Sequence, residues 1–179
     1  RLHAADRLST RKPTSMQNLA LTIRERARGR GDAVAQRVKR DGTWRETTYA
    51  DLDRDAGNLC RGLIGLGLGS GDRAAILATN IPEWTLADLA IQSARGVTVP
   101  VYATNTPEQV RQIIDDAGAR LAFAGTPTHA ETLASVREMG GLPERIVVVD
   151  GALPDPAKDL SFADPLAARP ATDPAAAAE

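Results

Sequence analysis

The chain has 179 residues and a mass of 19.0 kDa, room for one domain or for part of a larger one. With 42% hydrophobic and 25% charged residues it has a globular composition, which excludes collagen-like, coiled-coil and wholly disordered classes, and no apolar run approaches the roughly 18 residues of a membrane-spanning helix. Its 22 basic and 23 acidic residues nearly cancel but are unevenly placed, with 12 Lys/Arg against 4 Asp/Glu in residues 1–45 and 10 against 19 in the remainder.

Residues 1–14 read as an extended polar arm ending at Pro13. Ser15 is then placed as a cap, and Met16, Leu19, Ala20, Ile23 and Ala27 recur at helical steps up to Gly29. Residues 33–38 and 44–48 flank Arg40-Asp41-Gly42-Thr43, a hairpin turn signal. A helix follows over 49–66, with Leu52, Ala56, Leu59, Leu63 and Leu66 on one face. Thereafter strands and helices alternate. Strands are predicted at 72–79, 97–101, 121–124 and 145–150. Helices opened by Pro82, Thr106-Pro107 and Thr128 lie between them. This order predicts an α/β fold, a parallel sheet of βαβ units with flanking helices, preceded by a helix and a β-hairpin. Residues 15–150 form that unit. Residues 151–179 carry Pro154, Pro156, Pro165, Pro170 and Pro174 and read as a Pro/Ala-rich linker with one short helical turn near 161–168.

One cysteine, Cys60, closes no internal disulfide, and His3 and His129 make no zinc cluster. Thirty-one alanines against six aromatic residues give a small-aliphatic core suited to helix-on-sheet packing and poorly suited to base stacking, so no nucleic-acid partner is expected. The first 30 residues lack the apolar stretch of a secretion signal, although their Arg/Ser/Thr content fits a transit peptide. The expectation is a cytoplasmic protein. Its basic start offers a peripheral membrane contact, with a solvated helix face and terminus as the alternative.

Gly65, Gly67, Gly69 and Gly71 mimic a dinucleotide fingerprint in the wrong order, because they end a helix and lead into a strand. A phosphate loop of Walker type is excluded, since none of Lys12, Lys39 and Lys158 follows a glycine. His3 and His129 lack nucleophile or carboxylate neighbours in sequence and read as surface or capping residues, Cys60 as a core residue and Trp84 as an anchor of helix on sheet. What remains is positional. Ligands of parallel sheets sit beyond the carboxyl ends of the strands, which nominates Asn80, Tyr102 and Thr104 as the rim of a substrate site, with helix capping and loop support as the alternative.

Five strings, Thr48-Tyr-Ala-Asp-Leu52, Gly71-Asp-Arg-Ala-Ala-Ile-Leu77, Asn80-Ile-Pro-Glu-Trp84, Arg95-Gly-Val-Thr-Val-Pro-Val-Tyr102 and Arg145-Ile-Val-Val-Val-Asp150, occur in order and at the right spacing. Together they resemble the N-terminal portion of AMP-forming acyl-CoA synthetases, closest to the long-chain fatty acid branch, from about Leu19 to Ala171. That resemblance implies a partial adenylating domain. Its parent would activate a fatty or other carboxylic acid with ATP and Mg²⁺ to an acyl-adenylate, then pass the acyl group to coenzyme A. The family's Ser/Thr/Gly-rich phosphate loop ending in lysine does not occur in the 179 residues, so the resemblance assigns no catalytic, cofactor-binding or metal residue here. It implies that the chain alone is inactive and binds none of these cofactors. Severed sheet surface would favour homo-association. A stand-alone α/β binding module and a nucleotide-sugar or NAD enzyme are the rival readings.

Overall fold

Short Ala/Val/Ile strands alternating with capped helices set the frame. The computed structural model describes residues 18–167, so the arm, Ser15 and the end of the proline-rich segment lie outside the described residues. The elements are α1 (Leu19–Arg30), β1 (Val34–Arg40), β2 (Thr43–Thr48), α2 (Tyr49–Gly65), β3 (Arg73–Leu77), α3 (Pro82–Ser93), β4 (Val97–Val101), α4 (Pro107–Ala117), β5 (Leu121–Ala124), α5 (Pro127–Glu138), β6 (Arg145–Val148), β7 (Leu160–Ser161) and α6 (Ala163–Ala167).

Local chemistry fixes most boundaries. Thr48 with Asp51 and Thr106 with Gln109 form reciprocal capping boxes at α2 and α4, and Pro82, Pro107 and Pro127 occupy first-turn positions that need no amide hydrogen. Gly118 ends α4 at φ +65°, where the Arg73 side chain crosses it and donates from Nε to the Ala117 carbonyl at 2.6 Å. The first helix begins later than expected. Asn18 has extended backbone and accepts from the Leu21 amide at 2.9 Å, so the cap is Asn18 and the helix starts at Leu19. At the hairpin, Asp41 (φ 51°) and Gly42 (φ 77°) both turn left-handed, as a two-residue loop between twisted strands requires.

The five-stranded sheet has the order β4-β3-β5-β6-β7, with every neighbouring pair parallel. The α/β expectation, with its parallel sheet, leading helix and hairpin, therefore holds. Each sheet face is covered. Ala74, Ile76, Leu121, Phe123 and Val147 pack with α2, α3 and Phe162, while Ala75, Leu77, Ala122, Ala124, Ile146 and Val148 pack with α4 and α5. A smaller cluster adds a third layer: Ala20 and Ile23 of α1 and Ala35 of β1 sit on Leu52, Ala56 and Leu89 of α2 and α3.

Residues 151–167 are drawn into this frame. β7 was not foreseen from the sequence; it pairs with β6 through Val147↔Leu160 and Val148↔Ser161. Phe162 meets Phe123 edge-on, with ring centroids 6.1 Å apart. α6 then lies against α2 at Gly62, where a Cβ would overlap the Pro165 main chain.

Candidate functional site at the carboxyl rim of the sheet

The reversal of strand order falls between β3 and β5, so the crevice that parallel sheets use for ligands should open above that pair. Its base is closed by main chain. The Gly125 amide donates to the Leu77 carbonyl at 3.0 Å, and a Cβ on Gly125 would lie 2.5 Å from the Cβ of Ala78.

Beside this seam, a cleft of about 390 Å³ separates the hairpin from the start of α3. It is lined by Gln36, Arg37, Val38, Asn80, Ile81, Pro82, Trp84 and Thr85. Asn80 is thus a lining residue of a real concavity. Tyr102 and Thr104 are not brought to it: they are exposed beyond the adjacent strand, Tyr102 at 81% of its surface, and neither lines the cleft. Trp84 anchors α3 on the sheet cluster, as expected, and also walls the cleft.

The residues that complete the cleft come from the hairpin, which sequence spacing did not link to Asn80. Arg40 and Glu83 tie the two walls with an ion pair of 2.5 Å between Nη2 and Oε1, leaving Glu83 Oε2 buried with no hydrogen-bond partner. α3 itself is capped by Ile81, which offers no side-chain acceptor. His129, read from sequence as a surface or capping residue, is instead buried at 8% exposure near the end of β5. Thr126 performs the capping by accepting from the His129 amide, and the imidazole Nδ1 has no partner. Burial holds that imidazole below its ordinary 6.5.

A triphosphate with its magnesium needs convergent amides, a lysine or arginine clamp and carboxylates for the metal. The described rim has no lysine. Its two arginines, Arg37 in the lining and Arg40 across the walls, are already paired with Glu46 and Glu83, an unpaired Glu83 oxygen lies beside the cleft, and no group of three or more His, Cys, Asp or Glu among the described residues is arranged to hold a metal ion. These residues do not fit an ATP–magnesium site.

The architecture is shared. The profile of the family described as AMP-binding enzyme matches residues 23–178. The chain belongs to that family. Among curated AMP-binding relatives, the long-chain-fatty-acid–CoA ligase FadD15 of Mycobacterium bovis is 34% identical over 170 residues, covering 88% of this chain and 28% of that protein. The uncharacterized protein Rv1549 of Mycobacterium tuberculosis is 31% identical over 123 residues, which is 69% of this chain and 67% of a relative that is itself short. Among solved structures, an acyl-CoA synthetase of Brucella canis superposes with a TM-score of 0.74 at 24% identity, over 85% of this chain and 27% of that one, a likeness of fold. The chain therefore spans about 28% of the length of the ligase relative FadD15. None of its described helices is long and apolar enough to cross a membrane.

Proposed function

We propose that this chain is the N-terminal α/β part of an AMP-forming acid–CoA ligase, acting on long-chain fatty acids with ATP, Mg²⁺ and coenzyme A, and that it supplies scaffold rather than chemistry. The observation that carries the reading is the family match over residues 23–178 together with coverage of only 28% of a ligase relative. The second half is supported by the chemistry of the described cleft residues, whose arginines are already paired with carboxylates and are not free to clamp a phosphate. In this reading β3 to β7 (residues 73–161) build the sheet, the residues after them connect it onward, Asn80 faces the acyl substrate from the cleft, and Tyr102 and Thr104 stand outside that cleft at the end of β4. The test is pyrophosphate release from Mg-ATP and palmitate. The chain alone should stay at the no-enzyme background, and adding it to FadD15 lacking the matching segment should restore release. Turnover by the chain alone would overturn the scaffold reading.

A second reading has its own support in Rv1549, a relative short enough that the match covers two thirds of it. Here the fold stands alone as a binding module. A fatty acid or nucleotide should then raise the melting temperature of the isolated chain, a shift that the scaffold reading does not expect.

A further inference from the structure

The uneven charge of the sequence becomes a spatial division in the fold. Residues 18–48, which form α1 and the hairpin, hold eight Lys/Arg and four Asp/Glu; residues 49–167 hold nine and sixteen. The basic part is one outer layer, because Ala20, Ile23 and Ala35 seat α1 and β1 together on the same outer surface of α2 and α3. Ion pairs occupy Arg24, Arg37 and Arg40, with Asp53, Glu46 and Glu83. Arg26, Arg28, Arg30, Lys39 and Arg45 are exposed and form no ion pair among the described residues.

At the far end of this layer stands Trp44, 63% exposed. It lies directly across the hairpin from Lys39 and next to Arg45, on the face opposite the one that Val38 presents with its partner Arg45. An indole costs free energy in water and gains it at a bilayer interface, where its ring meets hydrocarbon and its N–H meets headgroups. Lys39 on the same face, and Arg45 on the opposite face near the turn, add attraction to anionic headgroups. A nucleic-acid surface would ask for several stacked aromatics, and this layer offers one exposed tryptophan.

We propose that the β1–β2 hairpin seats the protein on an anionic lipid bilayer by its turn end, with Trp44 and Lys39 on one face and Arg45 on the other. The cations of α1 extend the attraction, and the acidic remainder of the molecule turns away. Seating does not depend on ligase activity, so failure of either idea leaves the other standing.

The test is flotation of the whole chain with vesicles of equal parts phosphatidylcholine and phosphatidylglycerol, alongside phosphatidylcholine alone. The chain should float with the mixed vesicles only, be released by salt, and show a blue shift of tryptophan emission that Trp44→Ser abolishes. Removing a cation should weaken binding about fivefold. Lys39→Gln with Arg45→Gln should therefore lose at least about tenfold, while the exchange Lys39→Arg with Arg45→Lys keeps binding and shows that the loss is not one of folding. Arg11→Gln with Lys12→Gln in the terminal arm should leave the hairpin's share in place. No flotation with the mixed vesicles would overturn the proposal, as would undiminished binding of the glutamine pair in the hairpin. Retention on heparin without any emission shift on vesicles would assign the layer to a polyanion instead.

Discussion

Arg137 of α5 grips Asp159 with both terminal nitrogens, at 2.8 Å each, and the Asp159 side chain has no exposed surface. The same carboxylate accepts the Ile146 amide of β6 and the Asp155 amide, both at 2.9 Å. One side chain therefore fastens the segment after β6 to a helix, a strand and itself. Asp159→Ala would leave a mostly buried guanidinium and two amides without partners, at a cost of about 3–5 kcal/mol. Urea denaturation measures it, and a loss under about 1 kcal/mol would mean that water takes over these contacts.

Two glycines of α2 separate helix propensity from packing. Gly57→Ala puts its Cβ near only the Arg61 Nη1, at 3.9 Å, and should stabilise by about 0.5–1 kcal/mol. Gly62→Ala gains the same propensity but drives its Cβ into the Pro165 carbonyl, an overlap with backbone that no rotamer relieves. Overpacking of about 1–3 kcal/mol or more outweighs the gain, so this variant should be less stable and should release α6. Opposite signs in thermal melts are expected; equal signs would show that α6 leaves α2 at little cost.

The sign of one pH effect follows from His129. Its folded value lies below 6.5 because of burial, so below pH 6.5 the unfolded chain binds more protons than the folded one. Its contribution is complete above that value and is lost as the pH falls through it, with a slope of at most about 1.4 kcal/mol per pH unit. Melting temperature should drop between about pH 7.5 and about pH 5.5 more steeply in the parent chain than in His129→Leu. Parallel profiles would show that the imidazole is reached by solvent when protonated.

Both edges of the large sheet are poor templates for a further strand. β7 is two residues long, and Pro100 removes an amide donor from β4, whose Val97 is half exposed. Pro100→Val should restore that donor and increase concentration-dependent association in sedimentation velocity. An unchanged distribution would mean that another part of the surface governs association.

The sequence was most readable where structure is local. Thr106-Pro107-Glu108-Gln109 announced α4, Asp41-Gly42 the hairpin and Pro82 the start of α3, because each requirement is met within four residues. The capping partner of Thr48 was missed because Asp51 fills the role more often written with Glu or Gln. β7 was missed because two residues carry no period, and Asp159 earns its place through Arg137 and Ile146, respectively 22 and 13 residues away. For the rim, spacing put Asn80, Tyr102 and Thr104 at the ends of adjacent strands. It could not show that Gln36 and Val38 would close on Asn80, or that Tyr102 would stand in solvent.

The Gly125 contact with Ala78 has a further consequence. Because the two central strands meet backbone to backbone at their carboxyl ends, a ligand above them would rest on peptide groups whose position no side chain adjusts. Selectivity at that point would arise from the walls, while the height of the floor is set by the absence of one methyl group. Gly125→Ala would prise β3 from β5 where the Leu77 carbonyl is held, altering the depth of the crevice, and would also press on Ile81 Cδ1 at 3.3 Å, in the wall of the neighbouring cleft.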